Sequence, residues 1–513
     1  MATSVKGEPA RPEPVAEEPG DTAGWWRRRP ERTGTAARVL GWLLPALLTL
    51  ALGTHDGGRP QLWRDELATW SAATRSTGDL FRLLHHVDAV SGTYYLFMHG
   101  WIGLFGDSPA VLRLPSALAM AGAAAFVALA GRTQFDARTG LVAGLLFAVL
   151  PSVSRYSQEA RAYAFAVLAM AAATWLLLRA LERPGVLRWL LYALCLSAGG
   201  LMHMVCLLTV AGHLALVLLR WWHVRDRRML LGFPLAVLVG LLPVLPVALL
   251  GRHQSGRQIS WLDRPDLQSF VDTWHGLFGS AWVSGCVIGL AALPAAWPRG
   301  RRPALEIGLV AGLPVVLNWY ASQGQTAYFL DRYLLFTTPA WAVVAGAGLA
   351  ALRPRALAAL GLAGVTLLGV QDQQRLRNPD AHEWSDERGA AAVVARSYRP
   401  GDGFVPVRGE GAFMMLDFAL DYYLPPAARP VDVFAGRTAV QRGDFFTSPC
   451  TPAAVCLGST PRVWVVVYGN AQNPYQGLRA DEVAALTAGY VPEKVTVVRG
   501  IAVTLLERRT PAP

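Results

Sequence analysis

Residues 37–66, ARVLGWLLPALLTLALGTHDGGRPQLWRDE, decide the fold class, because an apolar run ends just before Trp63-Arg64-Asp65-Glu66. The run over 37–53 has the length and composition of a segment that crosses a hydrocarbon layer about 30 Å thick. Two adjacent carboxylates beyond it can hold a cation or accept a proton from a hydroxyl, provided they are fixed at the mouth of a cavity. An exposed loop with a solvated acidic pair is the alternative that these residues alone leave open.

The composition extends the membrane interpretation to the whole chain. With 513 residues and 53% hydrophobic content, the sequence is too apolar for a soluble enzyme and predicts a polytopic helical membrane protein. The net charge of +11 comes mostly from Arg residues that flank apolar runs, so it does not indicate nucleic-acid binding. Cys195, Cys206 and Cys286 are interpreted as packing residues, whereas Cys450 and Cys456 are spaced for a disulfide in an oxidising compartment.

About eleven segments are predicted to span the plasma membrane, with the N-terminus in the cytoplasm. Every loop then assigned to the cytoplasm carries Arg residues, as the positive-inside rule expects. Residues 93–105 are aromatic but short, and are predicted to form a helix in the outer interface rather than a span. The predicted spans lie at 37–53, 111–130, 140–153, 162–181, 187–201, 205–219, 229–250, 281–297, 304–320, 335–352 and 356–370.

Three regions follow from this pattern. Residues 1–36 are predicted to be a disordered cytoplasmic tail, and 37–370 a transmembrane domain with a long first outer loop at 54–110. In 371–513, helical patterns at 386–398 and 481–488 alternate with strand-like runs at 463–468 and 501–506. This predicts an α/β domain, which the odd number of spans places outside the cell.

Polar residues cluster in Arg155-Tyr156-Ser157-Gln158-Glu159-Ala160-Arg161-Ala162-Tyr163, between two predicted spans. If this stretch is helical, Arg155, Glu159 and Tyr163 share one face by i,i+4 spacing, with Gln158 and Arg161 nearby. The functional interpretation is an anion and sugar site at the outer membrane surface, since Arg suits a phosphate. The alternative is an Arg155–Glu159 pair that only caps the helix.

A second polar cluster, Asp331-Arg332-Tyr333, lies at the outer end of a later connection. Arg332 either extends to lipid headgroups or shares a phosphate site with Arg161. Residues 251–280 are predicted to form a loop long enough to cover that cavity. Trp261 within it would stack on a sugar or lie at the interface.

Metal ligation is the remaining chemistry to weigh. His85, His86 and Asp88 carry groups that bind transition metals. Adjacent histidines rarely bind one ion together, and no second ligand pair has a recognisable spacing, so a dedicated transition-metal site is not predicted. His99 and His203 are interpreted as interfacial or packing residues.

In their order, these segments resemble the GT-C superfamily of polyprenyl-phosphate-sugar-dependent glycosyltransferases, particularly bacterial relatives of protein O-mannosyltransferases and lipid A aminoarabinose transferases. The resemblance covers roughly residues 37–370, and the C-terminal domain resembles the extracytoplasmic tails of actinobacterial members more loosely. It rests on Trp63-Arg64-Asp65-Glu66, on Tyr94-Tyr95 followed by Leu112-Arg113-Leu114-Pro115-Ser116, on the 155–163 segment, and on Asp331-Arg332-Tyr333-Leu334-Leu335.

The resemblance implies a GT-C fold, a lipid-linked sugar donor and an active site at the outer face. An acidic residue of the first outer loop would be the catalytic base, either Asp65 or, as the second candidate, Glu66. Attack opposite the leaving group would invert the anomeric carbon. Some superfamily members use a divalent metal and others do not, so the resemblance leaves a metal open. It assigns phosphate and sugar binding to Arg161, Arg332, Gln158, Glu159, Tyr163 and Tyr94.

One departure from the family pattern concerns the donor pocket. Many relatives have a His-Pro-Pro-type segment just before the paired tyrosines, whereas this chain has Asp88-Ala89-Val90-Ser91-Gly92-Thr93. The departure puts the donor sugar in doubt more than the reaction. Mannose is preferred because the most similar relatives use it, with arabinose or another polyprenyl-linked sugar as the alternative. The acceptor is left open between a protein hydroxyl, a glycolipid and a wall polysaccharide.

Two other functional classes compete with a transferase. A transporter or flippase of lipid-linked glycans would use the same arginines, but the sequence has no convincing intramembrane acid or inverted repeat. A scaffold or sensor would bind cell-wall material through the 371–513 domain and would tolerate loss of Asp65.

Overall fold

The computed structural model describes residues 34–258, 261–409 and 415–509, so residues 1–33 of the predicted tail lie outside the described residues. The described residues between Thr35 and Arg375 are mainly helical. Short 3-10 helices at Ala89–Ser91, Met204–Leu208, Leu293–Ala296 and Asp331–Thr337 join several of its α-helices. The α-helices are α1 (Thr35–Thr54), α2 (Arg64–Ala73), α3 (Thr77–His86), α4 (Gly92–Phe105), α5 (Pro109–Gln134), α6 (Ala137–Val149), α7 (Pro151–Ser157), α8 (Tyr163–Glu182), α9 (Val186–Met202), α10 (Thr209–Val224), α11 (Arg227–Leu241), α12 (Leu245–Gln258), α13 (Leu267–Phe278), α14 (Ala281–Ala292), α15 (Pro298–Ala321), α16 (Thr338–Ala351) and α17 (Arg355–Arg375).

These helices make the chain a multi-pass membrane protein. Within the described ranges, 7 helices are long and apolar enough to cross a membrane, or up to 10 if each bent pair is one span. The bent pairs are α6 with α7, α11 with α12, and α13 with α14. The remaining predicted span, at 187–201, coincides with α9, a shorter apolar helix of 17 residues.

Small residues bring the central helices close together. An added Cβ on Gly140 of α6 would lie 2.4 Å from the Ala128 carbonyl oxygen of α5. One on Gly346 of α16 would lie 2.5 Å from Cα of Ala143 on α6. Helices in lipid associate through such close packing, because the surrounding hydrocarbon removes the usual hydrophobic driving force between them.

The segment over 251–280 is not the loop that the sequence predicted. Helix α12 continues to Gln258 and α13 begins at Leu267. The Gln254 side chain accepts a hydrogen bond from the Ala89 backbone N–H at 2.8 Å and donates to the Leu84 carbonyl at 3.0 Å. The helical pattern was missed because polar side chains interrupt the apolar period, while contacts with the 54–110 segment stabilise the helix.

The C-terminal region folds as the predicted α/β domain. Its sheet has the order β2-β1-β3-β5-β4, in which β1 runs parallel to β2 and β3, while β5 runs antiparallel to β3 and β4. Cys450 and Cys456 form a disulfide. The elements are α18 (Glu387–Ser397), β1 (Gly403–Pro406), α19 (Leu416–Tyr423), a 3-10 helix (Pro426–Ala428), β2 (Val431–Asp432), α20 (Ala439–Arg442), α21 (Ala453–Leu457), β3 (Arg462–Tyr468), α22 (Ala480–Gly489), β4 (Tyr490–Val498) and β5 (Ile501–Arg508).

This domain packs directly on the 54–110 segment. The Gln61 backbone N–H donates to the Pro379 carbonyl at 2.9 Å, and the Tyr423 hydroxyl accepts from the Leu62 backbone N–H at 2.7 Å. Trp70 and Tyr422 meet edge to face, with ring centroids 5.2 Å apart. The helix that carries Asp65 and Glu66 is therefore held by the membrane domain and the C-terminal domain together.

Candidate active site

Helix α2 places the acidic pair in its first turn. Acidic side chains stabilise a helix N-terminus, and the Glu66 carboxylate accepts a hydrogen bond from the Trp63 backbone N–H at 3.3 Å. Consecutive residues on an α-helix point about 100° apart. Asp65 and Glu66 therefore meet different surroundings although they are neighbours in sequence.

Glu66 is buried and holds an arginine. Arg113 donates to its two carboxylate oxygens at 2.8 and 2.6 Å, and the side chains of Arg113 and Glu66 are 2% and 0% exposed. The Ala160 backbone N–H donates to the same carboxylate at 2.8 Å. Burial by itself would raise the pKa of Glu66, but the charge and hydrogen bonds of Arg113 outweigh it and lower the pKa below its ordinary value. Glu66 thus ties α2 to α5 and to the 158–162 connection.

Arg113 also orders the chain in front of α2. Its guanidinium donates to the backbone carbonyls of Gly57, Pro60 and Gln61 at 2.8 to 3.0 Å. A buried guanidinium with carboxylate and carbonyl acceptors has its donors satisfied, which offsets the cost of removing its charge from water. The path from α1 into α2 is fixed by this contact.

Asp65 has different neighbours and stays partly exposed. Its side chain is 20% exposed, and Oδ2 lies 3.9 Å from Nε of Arg161, whose own side chain is 17% exposed. Arg161 Nη1 also donates to the hydroxyl of Tyr95 at 3.3 Å. A partly exposed carboxylate beside a fixed guanidinium is the type of group that can accept a proton while an anion is held next to it.

Both tyrosines of the Tyr94-Tyr95 pair are buried beside this site. The Tyr95 hydroxyl donates to the Asp88 carboxylate, which also accepts from Ser91 at 2.9 Å. Tyr94 is only 1% exposed and packs edge to face on Phe165, with ring centroids 5.8 Å apart. Burial raises the pKa of the Tyr94 hydroxyl and the charge of Arg161 opposes that rise, so the tyrosine chosen from the sequence also lies near this guanidinium. Tyr95, which sequence reasoning did not choose, adds the direct hydrogen bond to Arg161.

Arg332 faces inward. Its Cζ atom lies 5.6 Å from the Trp63 ring centroid and 5.9 Å from the centroids of both Trp261 and Tyr333. This position favours the shared phosphate site over contact with lipid headgroups, because a cation–π contact holds Arg332 against Trp63, the N-cap residue of α2. Trp261 is 58% exposed, and its ring covers one side of the Arg332 guanidinium.

Residues 155–163 are not one continuous helix. Helix α7 ends at Ser157 and α8 begins at Tyr163, so the expected i,i+4 face over 155–163 is wrong. Nη1 of Arg155 still lies 2.8 Å from Oε2 of Glu159, so the two side chains form an ion pair. Gln158 is fully buried and donates to the His55 carbonyl at 2.8 Å, so it anchors the connection to the end of α1. The break occurs because backbone and side-chain groups here bond across to α1, α2 and α5 instead of continuing the helix.

Glu159 has an unusual environment. Only 1% of the residue is exposed, and burial raises the pKa of its carboxyl to about 7 despite the opposing charge of Arg155. Tyr163, which opens α8, lies against His203 and Tyr333, at ring-centroid distances of 5.3 and 6.3 Å. Glu159 and Tyr163 therefore belong to the same region as Arg332, as expected, although not through a shared helix face.

His382 lies in the candidate site, although no sequence pattern indicated it. Its side chain is fully buried, 3.1 Å from Nη1 of Arg155 and 3.9 Å from Oε2 of Glu66. Burial, with the nearby positive charge of Arg155, lowers the pKa of His382 to about 3, so the imidazole is neutral near pH 7. His382 follows α17, the last membrane helix, and joins the C-terminal domain to Arg155 and Glu66.

The candidate metal-binding residues are histidines and carboxylates, among them His85 and His86. In the part of the chain that the structure describes, no group of three or more His, Cys, Asp or Glu side chains lies close enough to hold a metal ion. Nδ1 of His85 lies 2.7 Å from the Phe81 carbonyl oxygen, and Nδ1 of His86 lies 3.3 Å from that of Gly443. The two histidines therefore contact separate backbone groups.

Known proteins resemble the chain in both sequence and fold. Residues 93–249 match the family described as dolichyl-phosphate-mannose-protein mannosyltransferase. The structure is similar to apo ArnT from Cupriavidus metallidurans, with a TM-score of 0.59 and 16% identity, covering 92% of this chain and 96% of that one. It is also similar to the same protein bound to undecaprenyl phosphate, with a TM-score of 0.60 and 15% identity, covering 92% of this chain and 98% of that one.

Among curated proteins, no sequence is significantly similar to the chain. The structural likeness gives the fold, in which a helical membrane domain precedes a C-terminal domain. The family match and the fold agree with the glycosyltransferase class expected from the sequence.

Proposed function

We propose that the chain transfers a sugar, preferably mannose, from a polyprenyl-phosphate donor to an acceptor hydroxyl at the outer face of the plasma membrane. The observation that carries the proposal is the position of Asp65. Its partly exposed carboxylate lies 3.9 Å from the Arg161 guanidinium, at the junction of the membrane domain and the C-terminal domain. This junction is where a lipid-linked donor and a water-borne acceptor can meet.

In the proposed reaction, the acceptor oxygen attacks the anomeric carbon of the donor. The bond between that carbon and the phosphate oxygen breaks, and its electron pair leaves with the polyprenyl phosphate. The hydroxyl proton passes to the Asp65 carboxylate, which acts as general base. Because attack occurs opposite the leaving group, the anomeric configuration inverts.

Two arginines would stabilise the departing phosphate. Arg161 is held by the Tyr95 hydroxyl at 3.3 Å, and Arg332 is held against Trp63, so both positive charges are fixed before the substrate arrives. A guanidinium group can donate two parallel hydrogen bonds to two phosphate oxygens. These hydrogen bonds become stronger as negative charge develops on the leaving phosphate. Glu66, with its oxygens occupied by Arg113 and Ala160, supports the site rather than competing with Asp65 as base.

The comparisons support the donor class of this proposal. The matched family is described by dolichyl-phosphate mannose, and a structure with the same fold holds undecaprenyl phosphate. Both are phosphates on long isoprenoid chains, which an apolar helical bundle can admit from the side. The Arg-rich loops assigned to the cytoplasm support an outer position for the 54–110 segment and the C-terminal domain.

The test is transfer of label from radiolabelled polyprenyl-phosphate mannose in membranes that contain the full chain. Wild type, Asp65→Asn and Asp56→Asn are compared at equal expression. We expect Asp65→Asn to lower transfer by about 10²- to 10⁴-fold, the usual contribution of a general base, and Asp56→Asn to retain it. Asp56 is a matched control, because it lies on the same segment and is 44% exposed.

The outcomes separate the competing functions. Full transfer by Asp65→Asn would remove the proposed base. If wild type transferred neither mannose nor any of a panel of polyprenyl-linked sugars, the transferase proposal would be wrong and a transporter of lipid-linked glycans would replace it. The position of the label on a gel or chromatogram would identify the acceptor class.

A further inference from the structure

The sheet topology of the C-terminal domain creates a crevice. The parallel strands lie in the order β2-β1-β3, so the chain moves from β1 to β2 in one direction and then returns past β1 to β3. Right-handed crossovers then place the two connections on opposite faces of the sheet. Helix α19, in the connection from β1 to β2, contacts α18, whereas α21, in the connection from β2 to β3, contacts α22. The two connections thus pack with different helices, as expected if they lie on opposite faces. Ligands of open α/β sheets bind at such a switch point, outside the carboxyl ends of the strands.

A cavity of about 350 Å³ lies at this switch point. Pro406 ends β1 and lines the cavity together with Arg408, and the segment from Gly477 to Glu482, which follows β3, forms another wall. Residues 446–449, with Arg442, form the third wall. Small-molecule sites usually occupy roughly 300 to 1,000 Å³, so the cavity is large enough for one or two sugar rings.

The lining favours a ligand rich in hydroxyl groups. Its arginines are each paired with a carboxylate: Arg479 donates to Asp481 at 2.9 Å, Arg442 lies 3.7 Å from Asp444, and Arg408 donates to Asp432. These ion pairs balance the charge, while Nε and Nη1 of Arg408 are buried with no hydrogen-bond partner among the described residues, so they are free to donate to the hydroxyl oxygens of a ligand. Thr447 and Ser448 in the lining carry hydroxyl groups, and Pro406, Leu478 and Pro449 are apolar, a mixture that suits a saccharide.

The cavity wall is joined to the helix that carries Asp65. Arg75, two residues beyond the end of α2, donates to the Asp444 carbonyl at 2.7 Å, and its Cζ lies 5.7 Å from the Phe445 ring centroid. Asp65 lies at the other end of α2, in its first turn. A helix of 10 residues is about 15 Å long. The cavity wall and the proposed base are therefore joined through the two ends of α2, so only an extended ligand such as a glycan chain could contact both.

We propose that this cavity binds a saccharide unit of the acceptor, so that a glycan chain held there presents its terminal hydroxyl to Asp65. The inference rests on the proposed transferase function and adds the acceptor class, a glycan rather than a polypeptide. It also gives the C-terminal domain a direct part in acceptor binding.

The experiment uses full-length protein in membranes with radiolabelled polyprenyl-phosphate mannose. The acceptor probe is the glycan fraction extracted from the cell envelope of the encoding organism, added at increasing concentration. Thr447→Trp fills the cavity, Arg479→Gln removes one lining charge, and Arg508→Gln is the control on an arginine that bonds the Gly458 carbonyl outside the lining. Thermal unfolding of each variant in detergent reports folding.

We expect Thr447→Trp to raise the acceptor KM by about tenfold or more and Arg479→Gln by a smaller factor, with the donor KM within about twofold of wild type. If Thr447→Trp fails to fold, Arg479→Gln decides. Unchanged acceptor KM in the folded variants would overturn the site, as would label on a polypeptide that carries no glycan. Absence of transfer by wild type with the whole donor panel would instead remove the transferase function on which the site depends.

Discussion

Arg113 donates to both carboxylate oxygens of Glu66, at 2.8 and 2.6 Å, inside a region where neither side chain is more than 2% exposed. This contact separates the adjacent acids of α2. Glu66 is committed to a buried ion pair, and Asp65 is left with a partly exposed carboxylate near Arg161. The same N-terminal turn thus supplies an anchor and a candidate base.

Loss of the Glu66 charge should therefore destabilise the protein. Glu66→Gln leaves the Arg113 charge buried without its counter-charge, for which we expect a loss of about 3 kcal/mol or more. The measurement is the thermal unfolding midpoint in detergent. Asp421→Asn, which breaks an exposed ion pair with Arg429, should change stability by less than about 1 kcal/mol. Wild-type stability of Glu66→Gln with transfer abolished would instead make Glu66 a catalytic group.

The paired tyrosines provide a matched test of the donor site. Tyr95→Phe removes the hydroxyl that links Asp88 to Arg161, and we expect it to lower transfer by about tenfold through a less ordered guanidinium. Tyr94→Phe alters a residue packed on Phe165 and should stay within about twofold of wild type. Initial rates at saturating donor are the measurement. Equal rates for the two variants would show that Tyr95 does not order Arg161.

Helix α13 limits the position of Arg332. A Cβ on Gly276 would lie 1.8 Å from Oδ2 and 2.6 Å from Cβ of Asp331. Rotation of the carboxylate relieves only the first contact, so Gly276→Ala must displace either α13 or the 3-10 helix that contains Arg332. We expect a higher donor KM and at least about tenfold lower transfer, because small displacements of positioning groups reduce rates strongly. Gly285→Ala on α14 has nothing within 4 Å and serves as the control. Wild-type kinetics for both would show that Arg332 tolerates movement.

The buried Glu159 predicts a dependence of stability on pH. Its pKa is raised from 4.5 to about 7 in the folded protein, chiefly by burial, so the folded state binds the proton more tightly than the unfolded state. Stability should therefore fall as pH rises from about 4.5 to about 7, by on the order of 3 kcal/mol, and not return above that range. Glu159→Gln should lack this decrease in unfolding midpoint. Parallel pH profiles for the two proteins would contradict the assignment.

The sequence by itself determined the architecture. Apolar runs of spanning length and the Arg residues beside them gave the membrane helices, because lipid requires each crossing segment to satisfy its own backbone hydrogen bonds. In the 371–513 region, the predicted helices at 386–398 and 481–488 and the strands at 463–468 and 501–506 correspond to α18, α22, β3 and β5. These signals are local, because the spacing of apolar residues within a short stretch determines whether it forms a helix or a strand. The spacing of Cys450 and Cys456 likewise anticipated their disulfide.

Only the tertiary structure decided which polar side chain does what. Adjacent residues such as Asp65 and Glu66, or Tyr94 and Tyr95, have nearly the same local sequence but face different partners once α2 and α4 are packed. His382 reaches Arg155 across a sequence separation of 227 residues, and no local pattern encodes such a contact. Burial and partner charge are properties of the assembled fold, and they fix the role of an ionisable group more strongly than its sequence neighbours do.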